Sequence, residues 1–263
     1  MAKLRICSLR SSSKGNCILV YTETTKILVD CGISGKIMEG CLAEIGIEPG
    51  ALSAIVVTHE HTDHIKGVGV SARKYNIPVF STYGTWSAML RSVGDIPQGN
   101  RRVCSEGISF EVGDISVLPF PISHDAAQPV GYVFRCGEQR IGVATDTGIM
   151  TEEIFESIKG CDAVLLESNY DLFMLEAGTY PYELKCRIKS DLGHLCNDDA
   201  ALIARDLVRS GTKTLILGHI SPENNYLDLA YQTAKLCLES HGFKVGRDVN
   251  LYVAKKDQVL IIY

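Results

Sequence analysis

The sequence predicts an α/β (α+β) fold of four layers, an αββα sandwich in which two sheets pack face to face with helices outside. Three observations carry this. Short apolar runs of strand length fall into two clusters, and each cluster is accompanied by stretches of helical period. The run Ala54-Ile55-Val56-Val57 is apolar at consecutive positions, as a strand covered on both faces requires. Polar residues of metal-ligand type follow the strands, on loops along one edge.

In the first cluster, strands over 4–9, 17–21 and 26–29, with a turn at Glu23-Thr24-Thr25, precede a helix over 35–45, so antiparallel pairing comes first. The buried strand 54–57 leads through a His-rich loop into a helix over 66–75. A strand over 78–81 and a helix over 86–91 follow. Two strands within 107–118 turn at Val112-Gly113-Asp114, and 132–135 with 140–144 form a hairpin around Cys136-Gly137-Glu138-Gln139. The last third alternates helix 152–158 closed by Gly160, strand 163–166, helix 182–188, helix 198–209 closed by Gly211, strand 214–217 and helix 227–240 closed by Gly242. Asn197 is a suitable N-cap for the helix over 198–209. Residues 250–254 and 258–261 finish as another hairpin.

The 263 residues suit one domain spanning 1–263, since no Pro/Ser-rich linker, low-complexity tract or fixed-period repeat divides them. A content of 46% hydrophobic and 22% charged residues fits a globular chain with a large core. The formal net charge of −5 speaks against wholesale coating of nucleic acid and leaves room for a local basic groove. No stretch resembles a signal peptide or the roughly 18 apolar residues of a membrane span, so a cytoplasmic setting without membrane contact is expected. The ten cysteines are scattered without a Cys-x-x-Cys pair, and Cys7, Cys17, Cys136 and Cys237 lie in apolar elements, which predicts reduced, mostly buried thiols.

The segment His59-Glu60-His61-Thr62-Asp63-His64 gathers three of the seven histidines at a strand exit, too dense for surface or capping residues placed by chance. In a loop, this spacing directs His59 and His61 to one ion and Asp63 and His64 to a neighbour. Imidazole and carboxylate suit Zn, Mn or Fe, and the lack of a nearby Cys ligand speaks against a structural zinc site. Completing two sites needs further donors, and His124, Asp146 and His219 each follow an apolar strand. Singly, His124 also suits a turn beside Asp125, Asp146 an Asx-turn before Gly148, and His219 a satisfied core histidine. Their shared strand-end position favours ligation.

These residues resemble the metallo-β-lactamase superfamily, whose loop His-x-His-x-Asp-His is matched by His59, His61, Asp63 and His64. The resemblance spans the whole chain. It implies that Asp30, at an early strand end, orients the loop, that His124 joins a first divalent metal, that Asp146 bridges two, and that His219 completes the second. More narrowly, Ser11-Ser12-Ser13-Lys14-Gly15-Asn16, the segment 58–67, Glu167-Ser168-Asn169-Tyr170-Asp171, Gly193-His194-Leu195-Cys196-Asn197 and the segment 217–221 resemble the YycJ/WalJ-type bacterial nucleases. That implies hydrolysis of DNA, exonucleolytic from the 5′ end, with RNA left open as a substrate. Cys196 departs from the Ser expected after Gly-His-Leu, and a thiol is the weaker donor to phosphate.

The chemistry expected is two-metal phosphodiester hydrolysis by a metal-bound hydroxide, with Asp63 counted among the catalytic groups. The departing 3′-oxygen needs a proton. His194, on a Gly-flanked loop, is the candidate general acid, and Glu167 the residue that orients it; otherwise they read as a helix-entry residue and a solvated strand end. Ser13, Asn16, Lys185, Arg187 and Lys189 are candidate contacts to substrate phosphate, although the turn 11–16 equally suits a plain hairpin connection and the cations a solvated face. Trp86, Tyr170, Tyr180 and Tyr182 suit core packing as well as base stacking. Two rival functions use the same loop: a glyoxalase II-like thioester or lactone hydrolase, which does not need His194 with Glu167, and a non-catalytic metal-binding regulatory module. Oligomeric state is not legible in the sequence.

Overall fold

The computed structural model describes residues 3–262. In the first sheet, β1 (Arg5–Arg10), β2 (Cys17–Tyr21) and β3 (Lys26–Val29) pair antiparallel. From β3 the pairing turns parallel, into β4 (Ala54–Val56), β5 (Val79–Ser81) and β6 (Arg101–Val103). The crossovers carry α1 (Gly35–Glu44), then α2 (Thr62–Ile65) and α3 (Val68–Tyr75), then α4 (Tyr83–Val93), because parallel neighbours need a long return path.

The second sheet repeats the plan. β7 (Phe110–Val112), β8 (Ile115–Pro121), β9 (Val130–Cys136) and β10 (Gln139–Ala144) pair antiparallel. β11 (Ala163–Glu167), β12 (Thr214–Gly218) and β13 (Asn250–Val253) continue parallel. Their crossovers hold α5 (Glu152–Ile158), then α6 (Leu172–Ala177), α7 (Tyr182–Ile188) and α8 (Asn197–Arg209), then α9 (Leu227–Ser240). The final strand, β14 (Leu260–Ile262), returns to the first sheet and pairs antiparallel with β1.

Two-residue alternation sorts the apolar side chains into three layers. In β2, Cys17 and Leu19 face the helices, while Ile18 and Val20 enter the seam between the sheets. In β11, Val164 and Leu166 face the helices, and Ala163 and Leu165 the seam. Burial on both faces is why these strands read as unbroken apolar runs. Tyr132, buried in the seam, donates its hydroxyl to the Val57 carbonyl at 2.7 Å and so ties the sheets together near the metal loop. Without that partner the buried hydroxyl would cost about 1–3 kcal/mol.

The αββα expectation matches the observed architecture, with three corrections of detail. Residues 250–254 and 258–261 do not form a hairpin, since β13 joins β12 and β14 joins β1 in the other sheet. The metal loop is not all loop: it winds into α2 from Thr62. The N-cap of α8 is Cys196, whose Sγ accepts from the Asp199 amide at 3.4 Å, and Asn197 is the first helical residue. β6 and α6 were not anticipated, being too short to show a period. No disulfide joins cysteines among the described residues, and most of the thiols are buried.

Candidate metal centre and active site

Parallel register lines up strand ends. Val29 lies opposite Val56, which sets Asp30 beside Thr58. Leu166 lies opposite both Ala144 and Leu217, which sets Asp146, Glu167 and His219 side by side. Asp30, Asp146 and His219 all take left-handed backbone, with φ of 60°, 60° and 55°. For a non-glycine residue this costs about 1–3 kcal/mol each, and such strain gathers where side chains must be aimed.

The single turn of α2 rotates Asp63 and His64 away from His59 and His61, and two donor sets result. One nitrogen each of His59, His61 and His124 lie within 4.8 Å of one another, as do donors of Asp63, His64 and His219. Asp146 stands between, with Oδ2 at 3.4 Å from His64 Nε2 and Oδ1 at 3.3 Å from His219 Nε2 and 4.0 Å from His124 Nε2.

The ring orientations follow from oxygens on the far side. Asp30 Oδ2 accepts from His64 Nδ1 at 2.7 Å and from the Thr58 hydroxyl at 2.8 Å. Having donated its own proton, the Thr58 oxygen accepts from His59 Nδ1 at 3.0 Å. Gly193 O accepts from His124 Nδ1 at 3.2 Å. These partners assign the N–H to Nδ1 in all three rings and leave each Nε2 lone pair facing the common centre.

The donors fit divalent cations. His59 Nε2 and Asp146 Oδ2 are buried without a hydrogen-bond partner, each at a cost of about 1–3 kcal/mol that a cation at the centre would offset. Burial, followed by the nearby His64, holds His59 well below the usual imidazole range, so its ring is neutral, the form able to ligate a metal. Burial opposes charge on His64 too, but Asp146, Asp30 and Asp63 outweigh it and raise its pKa well above the ordinary value. Three carboxylates around one imidazole make a centre suited to positive charge.

Asp30→Asn is expected to lower the affinity of the second donor set for metal by about 10–100-fold. An amide NH₂ facing His64 would force the proton onto Nε2 and remove the ligating lone pair. Metal content after dialysis against a graded chelator checks this; content equal to that of the unaltered protein would remove Asp30 from the support of the centre.

Glu167 is fully buried at the end of β11. Its Oε1 accepts from His194 Nδ1 at 2.8 Å, and its Oε2 from the amides of Thr147 at 3.0 Å and Leu195 at 3.2 Å. Asp146, Glu167, His194 and His219 also lie close enough to form a donor set. Both Glu167 oxygens are already committed to N–H donors, however, whereas Asp146 Oδ2 is not, so Glu167 serves His194 rather than an ion. Burial works against a charged His194, but Glu167 outweighs it and raises its pKa. His194 lines a cleft of about 540 Å³ together with His61, Asp63, Asp146 and His219.

The candidate phosphate contacts separate. Ser13 and Arg187 line the cleft. Asn16 instead reaches inward, its Nδ2 at 3.1 Å from His64 Nε2 and 3.3 Å from Asp63 Oδ2. Arg187 is held by both oxygens of Asp125, Lys185 by the Glu176 carbonyl and Lys189 by the Glu176 carboxylate. Cys196 caps α8 through Asp199 and is buried. Sequence reasoning missed Thr58, Ser11, whose hydroxyl accepts from the His219 amide at 2.9 Å, and Gly32. A Cβ on Gly32 would lie 1.5 Å from the Asp63 carbonyl oxygen, so only glycine lets the metal loop pack there. No periodicity reveals such contacts.

Residues 25–220 match the β-lactamase superfamily domain. The chain belongs to the metallo-β-lactamase superfamily. Within the superfamily it is 42% identical over 249 residues to exodeoxyribonuclease YycJ of Bacillus anthracis, covering 95% of this chain and 94% of that one. It is 39% identical over 251 residues to exodeoxyribonuclease WalJ of Streptococcus pneumoniae serotype 2 (strain D39), covering 95% and 93%. The solved metallo-β-lactamase fold protein YhfI of Bacillus subtilis superposes with a TM-score of 0.75 at 14% identity, over 98% of this chain and 99% of that one, a likeness of fold.

Proposed function

We propose that the chain is a two-metal phosphodiesterase acting on DNA, a 5′-to-3′ exonuclease in which His194 is the general acid and Glu167 positions it. The observation that carries this is the 2.8 Å contact of His194 Nδ1 with Glu167 Oε1 on the cleft wall. A thioester releases a thiolate, a weak base that departs unaided, whereas a sugar 3′-oxygen is far more basic and needs a proton. The exodeoxyribonuclease names of the relatives at 42% and 39% identity support DNA as the substrate, and such a substrate suits the bacterial cytoplasm. No helix among the described residues is long and apolar enough to cross a membrane.

His59, His61 and His124 would hold one cation and Asp63, His64 and His219 the other, with Asp146 shared. Two divalent ions such as Zn, Mn or Fe supply Lewis-acid charge and a nucleophile at neutral pH. The chain's own part is positional. Asp30 and Thr58 fix the loop rings, Asn16 donates to Asp63, and Glu167 keeps a proton on Nδ1 of His194 through Oε1 while its Oε2 is fixed by two amides. Charged His194 can then give up its Nε2 proton to the leaving oxygen.

The test is to offer metal-loaded protein 5′-phosphorylated duplex DNA, single-stranded DNA, RNA and S-lactoylglutathione. Nucleotide release from DNA 5′ ends is expected. Turnover of the thioester alone would replace this reading with the glyoxalase II-like one, and turnover of none would favour a binding module.

A further inference from the structure

We propose that single-stranded DNA leaves the cleft along a basic track that crosses the turn 11–15 and ends at Lys256 and Tyr226; this rests on the phosphodiesterase reading above. Three depressions border that turn. The metal cleft shares Lys14 with a second depression of about 200 Å³ and Ser221 with a third of about 230 Å³. The second and third share Ser12 and Lys256. A continuous floor therefore runs outward from the metal-binding donors.

Arg10, Lys14 and Lys256 are the cations on this floor, in a chain whose formal net charge is −5. Among the described residues, no carboxylate pairs with Arg10 or Lys256. The Arg10 guanidinium bonds the Leu9 carbonyl at 2.6 Å, and Lys14 pairs with Glu223 at the exposed rim. Asp257 and Glu223 are the acidic residues beside the track. Arg187 in the cleft is paired with Asp125 and Lys189 nearby with Glu176, as Lys14 is with Glu223, so among the described residues the cations of the track left without a carboxylate partner are Arg10 and Lys256.

At the far end, Tyr226 is 66% exposed at the start of α9, beside Lys256. A ring so exposed gains little from packing within the protein, and an unpaired base stacked on it would cover it. Duplex bases are already stacked on each other, which makes a single strand the fitting occupant. The track also keeps its distance from the centre: the Ser11 amide donates to the Lys255 carbonyl at 3.0 Å, and the Ser11 hydroxyl accepts from the His219 amide at 2.9 Å. One residue thus fastens the Lys256 segment and a metal-binding donor together.

The experiment uses metal-loaded protein and a phosphorothioate DNA strand of about 20 nucleotides, long enough to occupy the track and resistant to turnover, read by fluorescence anisotropy over a salt series. The double variant R10A/K256A, which leaves the cleft lining intact, is expected to reduce the slope of log affinity against log salt by about 1.4, from roughly 0.7 per lost phosphate contact on a single strand. Tyr226→Ala is expected to weaken binding about tenfold. Both variants should hydrolyse the small diester bis(p-nitrophenyl) phosphate at the unaltered rate. If the double variant folds poorly, the exposed change Lys256→Glu alone should still cost about threefold in affinity. Unchanged slope and affinity would overturn the track, as would equal losses with blunt duplex DNA or a parallel fall in small-diester hydrolysis. Salt-dependent strand binding without cleavage of any diester would instead remove the phosphodiesterase reading and leave the binding track in place.

Discussion

Asp146→Asn is expected to release at least one cation and to slow DNA hydrolysis about a thousandfold or more, roughly 4 kcal/mol of barrier. Asp146 is a carboxylate within reach of both donor sets, through Oδ2 to His64 and Oδ1 to His219 and His124. Asparagine isolates the electrostatic contribution. It tolerates the left-handed backbone that residue 146 adopts at φ 60°, so the chain trace is retained while the negative charge is lost. The usual carboxylate pKa is already depressed here: burial pushes it up, but His219 and His64 hold Asp146 well below its ordinary range. Elemental analysis alongside initial rates decides the matter. Full metal content with an undiminished rate would eliminate Asp146 as the shared ligand.

His194→Ala is expected to lower kcat on DNA by about 10²–10⁴-fold, the usual worth of a positioned proton donor, with metal content unchanged. A leaving-group comparison separates this from a merely structural loss. With the p-nitrophenyl ester of thymidine 5′-phosphate, whose leaving group departs as a stable anion, the same variant should stay within about tenfold of the unaltered rate, since little proton donation is needed. Equal losses on both substrates would mean that His194 holds the site together rather than donating a proton. Glu167→Gln should follow the same pattern more weakly, because Glu167 acts through His194.

The sequence exposes the metal loop because its donors are contiguous, and it exposes His124, Asp146 and His219 because each follows an apolar run, whereas Asp30 comes only from the family resemblance. What it cannot display is adjacency. Nothing local says that β11 lies between β10 and β12, yet that register brings Asp146, Glu167 and His219 together. Thr58 and Ser11 are equally silent, since a hydroxyl acquires its role only from the Asp30 carboxylate or the His219 amide that reaches it. The misread final hairpin has a similar cause: a polar turn between two apolar strands looks alike whether the chain folds back or crosses to the other sheet. Here it crosses, and the crossing segment carries Lys256.

The donors begin at His59 and end at His219, drawn from both sheets, and Ser11, which seats His219, is itself fastened by the Lys255 carbonyl. A growing chain still emerging from the ribosome therefore holds only half a centre. Cleavage chemistry must wait until nearly the whole polypeptide exists and its two halves have docked. For a protein of the proposed activity, the order of assembly delays cleavage until both halves of the donor set are in place.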